Sequence, residues 1–141
     1  MKIYDCTTFY NEEMMYDLRL NILDKFVDKF IVTEATYSHS GNKKKLNFNI
    51  NNYPKFKDKI NYIVIDKSPP DLITLDNNKD NVSIKRWNSL KRIELSYNIM
   101  REAVSDANPE DIIILSDNDE IPNLNEVNFE NSKESIFIFK Q

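Results

Sequence analysis

The feature that most constrains this chain is an alternation. Short, nearly continuous apolar runs are separated by stretches whose apolar residues recur at helical spacing. Lys2 to Phe9 is the first run. Lys29-Phe30-Ile31-Val32-Thr33-Glu34-Ala35, Ile60-Asn61-Tyr62-Ile63-Val64-Ile65-Asp66 and Asp111-Ile112-Ile113-Ile114-Leu115-Ser116 follow. The last three are β-branched and scarcely alternate with polar residues, the pattern of strands buried on both faces of a parallel sheet. From Asn11 to Val27, Met15, Leu18, Ile22 and Phe26 form an apolar stripe, which predicts a helix with Asn11 as N-cap and Glu12 and Glu13 in its first turn. A short helix is expected from Tyr53 to Lys59, with Pro54 at its first position. A longer one is expected from Ile84 to Val104 on Trp87, Leu90, Ile93, Leu95, Tyr97, Met100 and Val104. Asn108-Pro109 marks its far boundary. Ser135-Ile136-Phe137-Ile138-Phe139 reads as a fifth strand, antiparallel or at an edge.

The resulting order, β-α-β-α-β-α-β-β, predicts an α/β fold with a mostly parallel sheet and right-handed crossovers. Ligands of such sheets bind beyond the carboxyl ends of the strands, so the residues that end each run carry the functional reading. A chain of 141 residues fits one domain, 1–141, and 40% apolar residues suffice for a core. A net charge of −4 and a pI near 5.1 argue against a nucleic-acid partner. Cys6 is the single cysteine; it fits a buried structural thiol and a reducing compartment. Asp5 interrupts the N-terminal run too early for a signal peptide, and no stretch approaches the ~18 apolar residues of a membrane span. A cytoplasmic protein is expected. Lys67 to Ser83 reads as a long polar loop.

The fourth run delivers Ser116-Asp117-Asn118-Asp119-Glu120 before Ile121-Pro122. Carboxylates this close raise one another's pKa unless a cation offsets them, and hard oxygen donors suit Mg²⁺ or Mn²⁺. Asp117 and Asp119 share a side if the backbone is extended; the plain alternative is a solvated acidic turn. An EF-hand loop would need a glycine at its sixth position and a preceding helix, and both are missing. After the second run comes Thr33-Glu34-Ala35-Thr36, then Tyr37-Ser38-His39-Ser40-Gly41-Asn42-Lys43-Lys44-Lys45. Gly41, the only glycine, suggests a tight turn or a close backbone approach. The lysines could neutralise phosphate, although Lys43 and Lys45 read more simply as solvated. His39 is the only histidine, which excludes a multi-histidine metal site. Nucleophile-elbow, dinucleotide and P-loop fingerprints are all absent.

Four blocks resemble glycosyltransferase family 17, the relatives of β-1,4-mannosyl-glycoprotein β-1,4-N-acetylglucosaminyltransferase. They are Met1 to Glu12, Leu18-Arg19-Leu20-Asn21-Ile22-Leu23, Val32 to Thr36 with Ser40-Gly41, and Asp111 to Pro122. They fall in order and span nearly the whole chain. The resemblance implies a nucleotide-diphospho-sugar transferase fold of the A type, Rossmann-like with helices on both faces. It further implies transfer of N-acetylglucosamine or a related sugar from UDP to a glycan acceptor, inverting and assisted by Mn²⁺ or Mg²⁺. Asp117 and Asp119 would bind metal and diphosphate, with Asp119 and Glu120 catalytic. Thr8, Phe9, Asn11, Glu34, Gly41, Lys44, Trp87 and Glu94 would contact substrate. One departure is visible: Tyr97-Asn98 stands where the family carries a Gln-Arg pair. Family members also continue beyond the equivalent of Gln141, where the resemblance places the acceptor site and the base. Two alternatives remain: a nucleotide-sugar-binding module without turnover, or metal-dependent phosphoryl transfer with Asp66 as a further acid.

Overall fold

The computed structural model describes residues 1–76, 81–129, 132 and 134–139. Four strands, β1 (Ile3–Thr8), β2 (Lys29–Ala35), β3 (Ile60–Ile65) and β4 (Ile112–Leu115), form one sheet in the order β3-β2-β1-β4. All three pairings are parallel; Cys6 lies opposite Ile31 on one side and Leu115 on the other. Helix α1 (Glu13–Leu23) connects β1 to β2, and α2 (Val82–Ala103) precedes β4. The chain first winds outward from β1 to β3 and then returns across the sheet to β4. Its topological switch point therefore lies between β1 and β4, where such sheets open a ligand crevice.

Two cores flank the sheet. On the α1 side, Ile3, Phe30, Val32 and Ile114 pack with Tyr16, Leu20, Leu23, Phe48, Tyr53 and Phe56. Phe9, Tyr16, Phe48, Tyr53 and Tyr62 meet there edge-on or stacked, with ring centroids 4.4–5.8 Å apart. On the other side Tyr4, Cys6 and Ile31 pack against Met100 and Val104 at the end of α2. Cys6 is buried, and that burial, with the neighbouring Asp5 charge, pushes its thiol up to about 12. It is a structural thiol, as expected.

The helices bury different faces from those the sequence predicts. In α1 the buried residues are Tyr16, Arg19, Leu20 and Leu23, while Leu18 and Ile22 lie exposed. Position 19 lies outside the predicted stripe, yet Arg19 is fully buried. In α2, Asn88, Ser96 and Met100 are buried and Trp87, Leu90 and Tyr97 are exposed. Glu12, not Asn11, occupies the N-cap position of α1, without a side-chain capping bond. The helix expected over Tyr53–Lys59 is a pair of 3₁₀ turns, Ile50–Asn52 and Pro54–Phe56, the second with its proline at the start.

The expected fifth strand does not form. Among the described residues, 135–139 pair with no strand, and Ile136 and Ile138 are 79% and 89% exposed. Phe137 instead meets Phe129 edge-on, and Phe139 packs against the α1-side core. Of the expected loop at Lys67–Ser83, residues 77–80 lie outside the described residues, and α2 already begins at Val82. No helix among the described residues is long and apolar enough to cross a membrane.

Candidate functional site

The carboxyl ends of β1, β2 and β4 open into one cleft of about 1310 Å³. Thr8 and Phe9 leave β1 into it, Thr33 and Ala35 end β2 beside it, and Asp117-Asn118-Asp119 follow β4. The segment 37–44 contributes Tyr37 to Ser40, Asn42 and Lys44; α2 contributes Lys85, Arg86, Ser89, Arg92 and Ser96. The strand-end rule thus puts the acidic segment in the same cleft as a set of cationic side chains.

The acidic segment is a turn and not extended. Asp117 carbonyl accepts from Glu120 N at 3.0 Å, and Glu120 Oε2 accepts from Asp117 N at 3.3 Å. Ser116 Oγ donates to Glu120 O at 3.0 Å. Beneath the turn lies Arg19, whose Nε and Nη2 donate to the two oxygens of Asp5 at 2.8 and 2.7 Å. Nη2 also reaches Ser116 Oγ at 2.7 Å, while Nη1 reaches the carbonyls of Asp117, Glu120 and Asn118 at 2.9, 3.1 and 3.4 Å. Arg19 and Asp5 are both wholly buried. A forked guanidinium is the side chain able to serve so many acceptors at once.

Asp117 and Asp119 are exposed on the cleft, whereas Glu120 does not line it and its carboxylate caps the turn. No three His, Cys, Asp or Glu side chains gather into a metal cage among the described residues. Asp117 and Asp119 nonetheless fit Mg²⁺ or Mn²⁺, since these ions commonly take one or two carboxylates and complete their shell with water and phosphate oxygens. Asn118, between them, is only 6% exposed, and neither polar atom of its side chain has a partner among the described residues. Thr33 Oγ1 across the cleft is likewise buried and unpartnered. Unpaired buried polar groups cost about 1–3 kcal/mol each, so a ligand that satisfied them would recover that energy.

Other residues singled out from the sequence serve the walls. Glu34 is buried and accepts from Lys44 Nζ, Asn47 N, Phe48 N and Tyr62 Oη. Burial would raise its carboxyl, but these donors outweigh burial and hold it below the ordinary value. Glu34 therefore anchors segment 44–48 from below, and Lys44, its ion partner, is the member that reaches the cleft. Gly41 has φ +90°, and a Cβ there would lie 2.5 Å from Arg92 Nη2. Arg92 in turn donates to His39 O at 2.9 Å, tying segment 37–43 to α2. The cleft brings together Thr8, Phe9, Lys44, Asp117 and Asp119; Asn11, Glu34, Gly41, Trp87, Glu94 and Glu120 do not line it. Lys91 engages both absent α2 residues, pairing with Glu94 at 2.8 Å and lying over the Trp87 ring.

Residues the sequence reading passed over are Arg19, Thr33, Asn118 and the stripe Lys85, Ser89, Arg92, Ser96. The stripe's spacing of four, three and four was a readable signal, because it marks one polar helix face. Nothing local distinguishes a buried Arg19 from a solvated one.

A cleft at the switch point of a parallel sheet, lined by carboxylates and by cationic side chains, is the usual ligand position of α/β folds of this kind. The chain belongs to glycosyltransferase family 17, whose family model matches residues 1–136, and it is by that membership a glycosyltransferase. Comparison with curated proteins and with solved structures returned no match.

Proposed function

We propose that the cleft binds a UDP-sugar, UDP-N-acetylglucosamine first among them, and serves its inverting transfer to a glycan acceptor. The observation that carries this reading is that Asp117-Asn118-Asp119 and the cations Lys44, Lys85, Arg86 and Arg92 line one cleft at the ends of β1, β2 and β4. Asp117 and Asp119 would hold Mn²⁺ or Mg²⁺, which when bound supplies electrostatic stabilisation of a leaving diphosphate. The cationic wall offsets the remaining phosphate charge. Arg86 and Arg92 offer guanidinium forks from α2, and so substitute for the arginine expected where Asn98 stands. Asn118 and Thr33 present unpaired amide and hydroxyl groups to the donor's polar atoms. Phe9 gives the cleft an apolar floor against the aromatic core.

A second reading, binding without turnover, is favoured by one observation. Glu120 is engaged within its own turn, which leaves Glu12, Asp117 and Asp119 as the cleft's carboxylates. Glu12 itself already accepts from Tyr10 N and Asn11 N. Titration calorimetry with UDP-N-acetylglucosamine, with and without Mn²⁺, tests both readings. Binding should require the metal and disappear in Asp119→Ala. Metal-independent binding, or none, sinks the proposal, and UDP release from the bound donor separates transferase from binding module.

A further inference from the structure

We infer that Arg19 is the positioning residue of the acidic turn: by holding the turn's backbone from beneath, it fixes Asp117 and Asp119 toward the cleft and sets their affinity for a divalent cation. The inference rests on the proposed metal site.

A buried guanidinium paired with one carboxylate still has N–H donors left over, which neutral carbonyls or a hydroxyl must take. Arg19 has both kinds of acceptor. Two of its nitrogens bind Asp5 at 2.7–2.8 Å, and the remaining capacity goes to one turn: the carbonyls of residues 117, 118 and 120 and the Ser116 hydroxyl. The two anchors lie far apart in sequence, Asp5 in the centre of the sheet and the turn at the end of β4. With its carbonyls drawn inward to one guanidinium, the turn leaves the side chains of residues 117 and 119 on the cleft side, where both are exposed. Asp5 offsets the guanidinium charge, so the cation beneath the turn does not repel a second cation above it. Asn118 is the independent sign that this turn meets a ligand, since its buried amide has no partner among the described residues.

A lysine at position 19 keeps the charge but loses the fork, and cannot serve Asp5 and four turn acceptors together. The test is the uptake of Mn²⁺ in the presence of UDP, followed by electron paramagnetic resonance of the free ion, well below each variant's melting temperature. Arg19→Lys should bind Mn²⁺ about tenfold to a hundredfold more weakly, the usual effect of losing a group that orients metal ligands. Leu23→Ala, which opens a cavity under the same helix without touching the turn, should keep the wild-type affinity. Ser116→Ala removes one link at a half-buried position, so it serves if Arg19→Lys does not fold; an intermediate loss is expected. Wild-type affinity in Ser116→Ala and in folded Arg19→Lys overturns the inference alone, as does an equal loss in Leu23→Ala. A wild-type protein that takes up no Mn²⁺ overturns the metal site and the inference with it.

Discussion

At the residue scale, two buried charges organise the walls of the cleft. Arg19 holds the acidic turn, and Glu34 holds segment 44–48 through three donors, Lys44, Asn47 and Phe48, with Tyr62 of β3 as a fourth. Isolated buried charges are costly, and both persist because each is fully partnered. The lowered Glu34 pKa fixes a sign. Its contribution to stability is present above pH 4.5, the ordinary value, and is lost as the pH falls through the lowered one. The gap in melting temperature between wild type and Glu34→Gln should therefore narrow on acidification from neutrality to pH ~3. A gap independent of pH would mean that Glu34 is not ionised in its network. The sequence marked Glu34 by its place at a strand end, but not the direction of its side chain. Burial of a carboxylate depends on donors from residues 44, 47, 48 and 62, which come from other parts of the chain.

At the element scale, the strands were legible and the helix faces were not. β2, β3 and β4 lie within one residue of their apolar runs; β2 is buried on both faces as its run predicts, whereas β3 and β4 at the sheet's edges leave Val64, Ile113 and Leu115 exposed. A helix face depends on its neighbours. Reading α1 by hydrophobicity selects Leu18 and Ile22, whereas the sheet and the acidic turn select Tyr16, Arg19, Leu20 and Leu23. The same cause exposes Trp87 and Leu90 on α2 and turns Lys85, Ser89, Arg92 and Ser96 to the cleft. Segment 135–139 has strand composition but pairs with neither edge of the described sheet, so composition alone misled there. Leu20→Ala, at a wholly buried position, should cost about 2–5 kcal/mol in denaturant unfolding. Leu18→Ala, two positions away and 49% exposed, should stay within about 0.5 kcal/mol of wild type. Comparable losses at both positions would contradict the burial pattern.

At the scale of the whole molecule, topology turns these pieces into a site. Outward winding through β1, β2 and β3, followed by return to β4, sets Thr8 and Phe9 beside the acidic turn although more than a hundred residues separate them in sequence. The place of the cleft was thus readable from strand order, and so was its acidic side. Its cationic side was readable only in part: Lys44 was marked by its place after β2, whereas Lys85, Arg86 and Arg92 come from a face of α2 that apolar periodicity ignores. Paramagnetic line broadening on ¹⁵N-labelled protein tests the central claim, that these strand ends form one metal-dependent nucleotide-sugar site. Substoichiometric Mn²⁺ with UDP-N-acetylglucosamine should broaden the amides of Thr8, Phe9 and residues 117–119 first, and leave Tyr53 and Leu124 in the α1-side core sharp. Broadening centred elsewhere, or uniform across the protein, would contradict it.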